Sequence, residues 1–108
     1  MVEKRRASRR LKRLPVRCSC GTCEFAGVTS NFSQDGLFIR TKKPFKPGVP
    51  VKLLFETDKK STIALSGVIA RAIRKEIMFS KNGMGVKLTS IPQSYSSFLE
   101  ELSSNRSF

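Results

Sequence analysis

Apolar and polar residues alternate with a period of two along most of this chain, and the alternation predicts a succession of short strands. Leu14 to Cys20 reads as a first strand, and Gly21-Thr22 as a two-residue turn. Cys23 to Thr29 returns as a second strand, with Phe25, Gly27 and Thr29 on one face and Ala26 and Val28 on the other. Ser30 to Asp35 is rich in turn formers and is expected to be a turn. Gly36 to Thr41 is a third strand. Lys42 to Pro50 holds Pro44, Pro47, Gly48 and Pro50 and is expected to be a loop. Val51 to Glu56 is a fourth strand, turned by Thr57-Asp58-Lys59-Lys60. Thr62 to Ile73 is a long fifth strand, in which Gly67 is the expected site of a bulge or bend. Arg74 to Gly83 reads as a polar loop, and Met84 to Thr89 as the last strand.

The period then changes. Tyr95, Phe98, Leu99 and Leu102 recur at the spacing of an amphipathic helix. Ser90 and Gln93 fit a capping box, and Pro92 falls in the first turn, where a missing N–H costs little. Six short strands followed by one helix predict a mainly β domain: a small antiparallel barrel or sandwich with the C-terminal helix packed on it. Closure into a six-stranded barrel also removes exposed sheet edges. The expected organisation is a flexible arginine-rich arm over residues 1–13, the β-domain and helix over 14–102, and a frayed tail over 103–108.

Composition narrows the function. The chain has 108 residues, enough for one domain with one modest core. No apolar run reaches the ~18–20 residues of a membrane span, and no apolar stretch follows the first residues as in a signal peptide, so a cytoplasmic location is expected. Lys and Arg number 21 against 8 Asp and Glu, a formal net charge of +13, which favours an anionic partner. Eight of the 21 basic residues lie between Lys4 and Arg17. There is no histidine, no evident nucleophile–base pair and no acidic metal cluster, so no enzyme is predicted. Glu56 and Asp58 are close in sequence, but a carboxylate pair at a turn is ordinarily solvated.

All three cysteines fall in Cys18-Ser19-Cys20-Gly21-Thr22-Cys23. Structural zinc takes four ligands, and without histidine only Glu24 could complete the set. A redox pair of Cys20 and Cys23 across the tight turn is a second reading. Reduced thiols around a hairpin is the reading the spacing favours, and no metal or cofactor is expected.

Two short motifs remain. Arg5-Arg6-Ala7-Ser8-Arg9-Arg10 contains the spacing RxxxR, and Asn31-Phe32-Ser33-Gln34-Asp35-Gly36 reads NxSxxG. Alone, a basic tract is most often a solvated tail, and Asn, Ser and Gly together most often mark a turn. In this order, with Leu14-Pro15-Val16, Gly67-Val68-Ile69 and Gly83-Met84-Gly85-Val86 around them, they resemble the signature of the PilZ domain, a bacterial cyclic di-GMP receptor module. The resemblance covers roughly residues 3 to 102. It implies a six-stranded antiparallel barrel and a ligand site made of Arg5, Arg9, Asn31, Ser33 and Gly36. Arg6/Arg10 and Arg9/Arg13 also satisfy RxxxR, and counting back from Pro15 favours Arg5/Arg9. Arg71 lies where family members often place a residue beside the ligand, and Arg6 and Arg10 could join the site or raise its potential.

The chemistry of these residues fits that implication. Cyclic di-GMP is a dianion with two guanines. An arginine fork makes paired charge-assisted hydrogen bonds to phosphate or to guanine O6/N7, and its flat face stacks on a base. Such a hydrogen bond contributes about 1.5–3 kcal/mol, and a micromolar site needs ~8 kcal/mol. Asn31 offers a donor and an acceptor to a guanine edge, Ser33 a hydroxyl to a base, a phosphate or its own turn, and Gly36 either positive φ or close backbone approach. Phe32, Phe38, Phe55, Tyr95 and Phe98 are expected in the core rather than as base platforms. The resemblance implies a receptor or adaptor that changes conformation on binding and meets an unidentified protein partner in motility, exopolysaccharide or biofilm control. Two alternatives stand beside it: a small basic barrel for single-stranded nucleic acid, and a PilZ-like protein-interaction module that needs no nucleotide. Clustering of the basic residues in the arm weighs against nucleic acid, and the intact motifs weigh against the nucleotide-independent module.

Overall fold

Between Pro50 and Glu56 every second side chain is buried: Val51, Leu53 and Phe55 face inward, and Lys52 and Leu54 face solvent. This is the period-two readout of a sheet with one face on a core. The computed structural model describes residues 10–73 and 82–105. Its elements are β1 (Arg10–Leu11), β2 (Pro15–Cys20), β3 (Cys23–Ser33), β4 (Gly36–Arg40), β5 (Pro50–Glu56), β6 (Thr62–Ile73), β7 (Gly83–Leu88) and α1 (Gln93–Asn105). Neighbours run β3-β2-β5-β6-β7-β4, all antiparallel, and β4 pairs back onto β3. Six strands therefore close into a barrel with no open edge. The two-residue β1 pairs outside that circuit on β3, with Arg10 opposite Phe32 and Leu11 opposite Asn31.

The barrel interior is filled by Val16, Cys18, Ile39, Leu53, Leu65, Ile69, Met84 and Val86, all buried. At one end α1 lays Tyr95, Phe98 and Leu99 over Phe32 and Phe55. Phe98 meets Phe32 edge-on, with ring centroids 5.0 Å apart, and Phe55 at 5.4 Å. The helical stripe predicted from sequence is thus the face that covers the barrel. Its start differs from the expected capping box. The Pro92 carbonyl accepts the N–H groups of Tyr95 and Ser96, so Pro92 itself takes the cap position. The helix also runs on through residues 103–105, part of the segment expected to fray.

Three further strand features depart from the sequence reading. The expected turn over Ser30 to Asp35 shrinks to Gln34-Asp35, because β3 continues to Ser33. The expected bulge at Gly67 is absent. β6 pairs with β5 in unbroken register from Thr62 to Val68, and the register shift falls between Ile69 and Arg71. Gly67 serves close approach instead: a Cβ there would stand 2.6 Å from the Lys87 carbonyl oxygen. Gly83 belongs to β7 rather than to the preceding loop, most of which, over 74–81, lies outside the described residues.

Candidate functional site

Two β-bulges decide which side chains reach the outer surface of the barrel. In β3 the buried Thr29 is followed by Ser30 and Asn31, both half-exposed, and then by the fully buried Phe32. The register against β4 shifts between Thr29 and Asn31. Strict alternation from Thr29 would turn Asn31 inward. The extra residue reverses that and brings Asn31 and Ser33 out while Phe32 goes in. In β6 the same happens between Ile69 and Arg71, where Ala70 and Arg71 are both exposed. A cause lies in the proline-rich loop. Ile69 donates its N–H to the Val49 carbonyl at 2.9 Å and accepts the Gly48 N–H at 2.8 Å. The loop thus takes over Ile69 where the ladder to β5 ends, and the next residue is extruded.

The two bulges line up two cross-strand rows. The first is Asn31 on β3, Phe38 on β4, Gly85 on β7 and Arg71 on β6. The second is Ser33, Gly36, Lys87 and Val68 on the same four strands. Together with Asp35, Leu37, Ala70 and Val86, these residues, Val68 excepted, line an open surface cleft of about 380 Å³. Gly36 and Gly85 leave its floor without side chains. Gly36 does not have positive φ; its role is close approach, since a Cβ would run into the Val86 carbonyl oxygen. At Gly85 a Cβ would lie 3.5 Å from Arg71 Cγ, so the arginine stem lies across the glycine.

The rim of the cleft is held from below. The Ser33 hydroxyl is 3.2 Å from both Asp35 Oδ1 and the Gly36 carbonyl, which ties down the turn. The Leu88 N–H donates to the Asp35 carbonyl at 2.9 Å, fastening the turn to β7. From α1 the Tyr95 hydroxyl reaches the Ser33 carbonyl at 2.6 Å. On the other side, Thr29 Oγ1 accepts the Leu14 N–H at 2.9 Å and donates to the Lys12 carbonyl at 2.7 Å. These bonds and the β1 pairing bring the chain between Arg10 and Leu14 alongside Asn31. Of the segment expected to be a flexible arm, Arg10, Leu11 and Lys12 are bonded or paired to β3.

The candidate residues are therefore distributed as follows. Asn31, Ser33, Gly36 and Arg71 come together in one cleft. Arg10 is in β1, paired through its backbone beside that strand. Arg5, Arg6 and Arg9 lie outside the described residues. Seven lining residues were not assigned to the site from sequence, among them Lys87, Gly85 and Phe38. Lys87 could have been read as outward from the inward Met84, Val86 and Leu88, but its place beside Gly36 depends on the pairing of β4 with β7. Gly85 entered as part of a motif, with no position. Phe38 was expected in the core. It is half-buried on the outer face, with the Arg40 guanidinium 5.1 Å from its ring centroid. Phe32, Phe55, Tyr95 and Phe98 are buried as expected.

The cysteines do not converge. Cys18 faces the core, where burial pushes its thiol up to about 12. Cys20 and the exposed Cys23 are cross-strand partners around Gly21, which has φ of 60°, and all three are free thiols. Among the described residues no group of three or more His, Cys, Asp or Glu side chains could hold a metal ion, and no helix is long and apolar enough to cross a membrane.

The fold has solved counterparts. The Bacillus subtilis inhibitor of motility (MotI/DgrA) superposes with a TM-score of 0.79 at 16% identity, over 97% of this chain and 52% of that one. The present chain thus spans about half the length of that protein. The PilZ domain of CeSA from a cellulose-synthesizing bacterium superposes with a TM-score of 0.65 at 21% identity, over 82% of this chain and 86% of that one. No curated protein matches the sequence. The PilZ domain family matches residues 3–104, nearly the whole length. With a six-stranded closed barrel, a helix over one end and the NxSxxG strand turned to the outer face, this chain belongs to the PilZ domain family.

Proposed function

We propose that this chain is a receptor for cyclic di-GMP that binds the dinucleotide in the cleft over β3, β4, β7 and β6 and signals to a protein partner. The observation that carries this reading is the first cross-strand row. Two separate bulges bring Asn31 and Arg71, far apart in sequence, onto one outward face, in a row whose β7 position is Gly85, which adds no side chain to the cleft. Asn31 suits a guanine edge, and Ser33 a phosphate oxygen or base once its hydroxyl turns from Asp35. Arg71 suits a stacked base or a phosphate. Arg5 and Arg9, with Arg6 and Arg10 beside them, would close over the ligand as paired forks. β1, which follows that basic segment in sequence, pairs beside Asn31. The two solved neighbours, an inhibitor of motility and a PilZ domain from a cellulose-synthesizing bacterium, support outputs in motility or exopolysaccharide control.

Ligand binding would order the segment before Arg10, since the dianion relieves repulsion among its arginines and gives them partners. Hydrogen exchange over residues 2–9 should then slow with cyclic di-GMP. Equal exchange with and without ligand would remove this mechanism while leaving binding intact. The direct test is calorimetric titration with cyclic di-GMP, with GTP and a short RNA as controls. Micromolar or tighter binding of cyclic di-GMP alone is expected. A flat titration at high protein concentration overturns the proposal and leaves the protein-interaction module. Preferential, salt-sensitive binding of RNA would overturn it in favour of a nucleic-acid barrel.

A further inference from the structure

We propose that Lys87 is a ligand-binding residue of this cleft, holding a phosphate over Gly36 opposite Ser33. The inference rests on the cyclic di-GMP reading and adds a residue that neither motif contains. Its basis is the second cross-strand row. Ser33 pairs with Gly36, Gly36 pairs with Lys87, and the three residues sit on adjacent strands β3, β4 and β7. Val86 and Leu88 are buried on either side of Lys87, so alternation commits its side chain to the outer face, and it is exposed there. Between Ser33 and Lys87 the row contains only a glycine. Two strand spacings, roughly 10 Å, separate their backbones. A phosphate group held above the Gly36–Lys87 pair, clear of the Val86 carbonyl oxygen beside Gly36, would have the hydroxyl on one side and the ammonium on the other.

The position is held on both flanks. The Asp35 carbonyl accepts the Leu88 N–H at 2.9 Å, so the residue after Lys87 is bonded to the turn that carries Ser33 and Gly36. Packing at Gly36 is tight enough to exclude a Cβ, which keeps β4 against β7 at this point. Lysine and turn therefore cannot drift apart without breaking the barrel.

Charge gives the second argument. The charged side chains lining the cleft among the described residues are Asp35, Arg71 and Lys87. Asp35 stands beside the Ser33 hydroxyl at 3.2 Å and opposes a phosphate at that end. Arg71 lies in the other row. Without Lys87 the lining would be neutral, with its negative group at the NxSxxG end. With Lys87 the lining carries a net positive charge, and the cation sits across Gly36 from the acid it must offset. A lysine's compact, rotatable ammonium suits a single phosphate, whereas the arginine fork suits a base or a bidentate contact.

The test is calorimetric titration of cyclic di-GMP into the intact chain and into Lys87→Ala, Lys87→Gln, Lys87→Arg and Lys52→Ala, at low and high salt. Lys52 is an exposed lysine on β5, outside the cleft, and controls for net charge. The Ala and Gln variants should each bind about tenfold more weakly at low salt, the loss expected of one charged hydrogen bond. The Arg variant should stay within about threefold of the parent, as a retained positive charge predicts. Lys52→Ala should match the parent. Screening should shrink the Ala deficit at high salt. Binding by the parent with an undiminished Lys87→Ala overturns the Lys87 assignment alone. Equal losses from Lys87→Ala and Lys52→Ala also overturn it, since they would mark a general charge effect. No binding by the parent would overturn the receptor reading and the Lys87 assignment with it. Circular dichroism of each variant checks the fold, and if Lys87→Ala misfolds, Lys87→Gln decides.

Discussion

The hydroxyl of Tyr95 on α1 donates to the carbonyl of Ser33 at the end of β3, at 2.6 Å, with the Gly36 carbonyl at 3.2 Å. The helix that covers the barrel thus also holds the turn of the NxSxxG motif. Tyr95 is buried, and its ring lies 6.3 Å from that of Phe32. The aromatic body belongs to the core, and the polar tip reaches the site. Tyr95→Phe keeps the packing and removes the bond. It should lower stability by about 1 kcal/mol, measured by urea unfolding, and it should weaken cyclic di-GMP binding through a looser turn. A variant with normal affinity would mean that the turn keeps its shape without the helix.

The two glycines on the cleft floor should respond differently to alanine. Gly36→Ala forces a Cβ into the Val86 carbonyl oxygen, and the obstacle is backbone. Strain of this kind costs roughly 1–3 kcal/mol, so thermal unfolding should shift clearly downward. At Gly85 the nearest atoms are Arg71 Cγ at 3.5 Å and Arg71 Nε at 3.7 Å, both ordinary contacts with a movable side chain. Gly85→Ala should leave stability within about 0.5 kcal/mol, as for surface changes generally, yet reduce affinity by placing a methyl on the cleft floor where a ligand would lie. Equal stability losses at the two positions would contradict this account.

The register of the RxxxR motif is open to direct mutation. Arg5→Ala and Arg9→Ala should each weaken cyclic di-GMP binding by about tenfold or more, the loss of a charged hydrogen bond, and leave the thermal transition of the barrel unchanged. Arg10 sits in β1 opposite Phe32. If Arg6→Ala and Arg10→Ala are the damaging pair, the motif is shifted by one residue.

The thiols should separate by reactivity. Cys18 is buried in the barrel, and its thiol is pushed up to about 12 by that burial. Thiolate is the reactive form, so alkylation at pH 8 should modify Cys23, which is exposed, and spare Cys18 until the protein is unfolded. The pH effect on stability follows. The folded state keeps the Cys18 proton to higher pH than the unfolded state. Between the ordinary value of 9.0 and about 12, the unfolded chain binds fewer protons, and stability falls as pH rises. The Cys18 contribution is intact below the lower value and declines above it. Cys18→Ala should therefore flatten the loss of stability between pH 8 and 10.5, as read from urea midpoints.

Most of the secondary structure was legible from local pattern. β5 and β6 match the predicted strands almost to the residue, because alternating β-branched and apolar side chains bury one face wherever the strand pairs. The stripe of Tyr95, Phe98 and Leu99 specified a helix with one apolar face, and Gly21-Thr22 specified a tight turn through the positive φ that glycine allows. The motif residues Asn31, Ser33 and Gly36 were visible as types at a spacing. Their orientation was not. Asn31 faces outward because of a bulge at Ser30, and Arg71 because of one at Ala70, and neither bulge has a glycine or other local mark. The bulge in β6 coincides with Gly48 and Val49 taking both backbone bonds of Ile69, a contact between segments that sequence does not join. Lys87 became a neighbour of Gly36 only when β7 paired with β4. A strand's own sequence determines which residues can share a face. Which face they share, and with whom, is decided by register, and register is a property of the partner strand and the core between them.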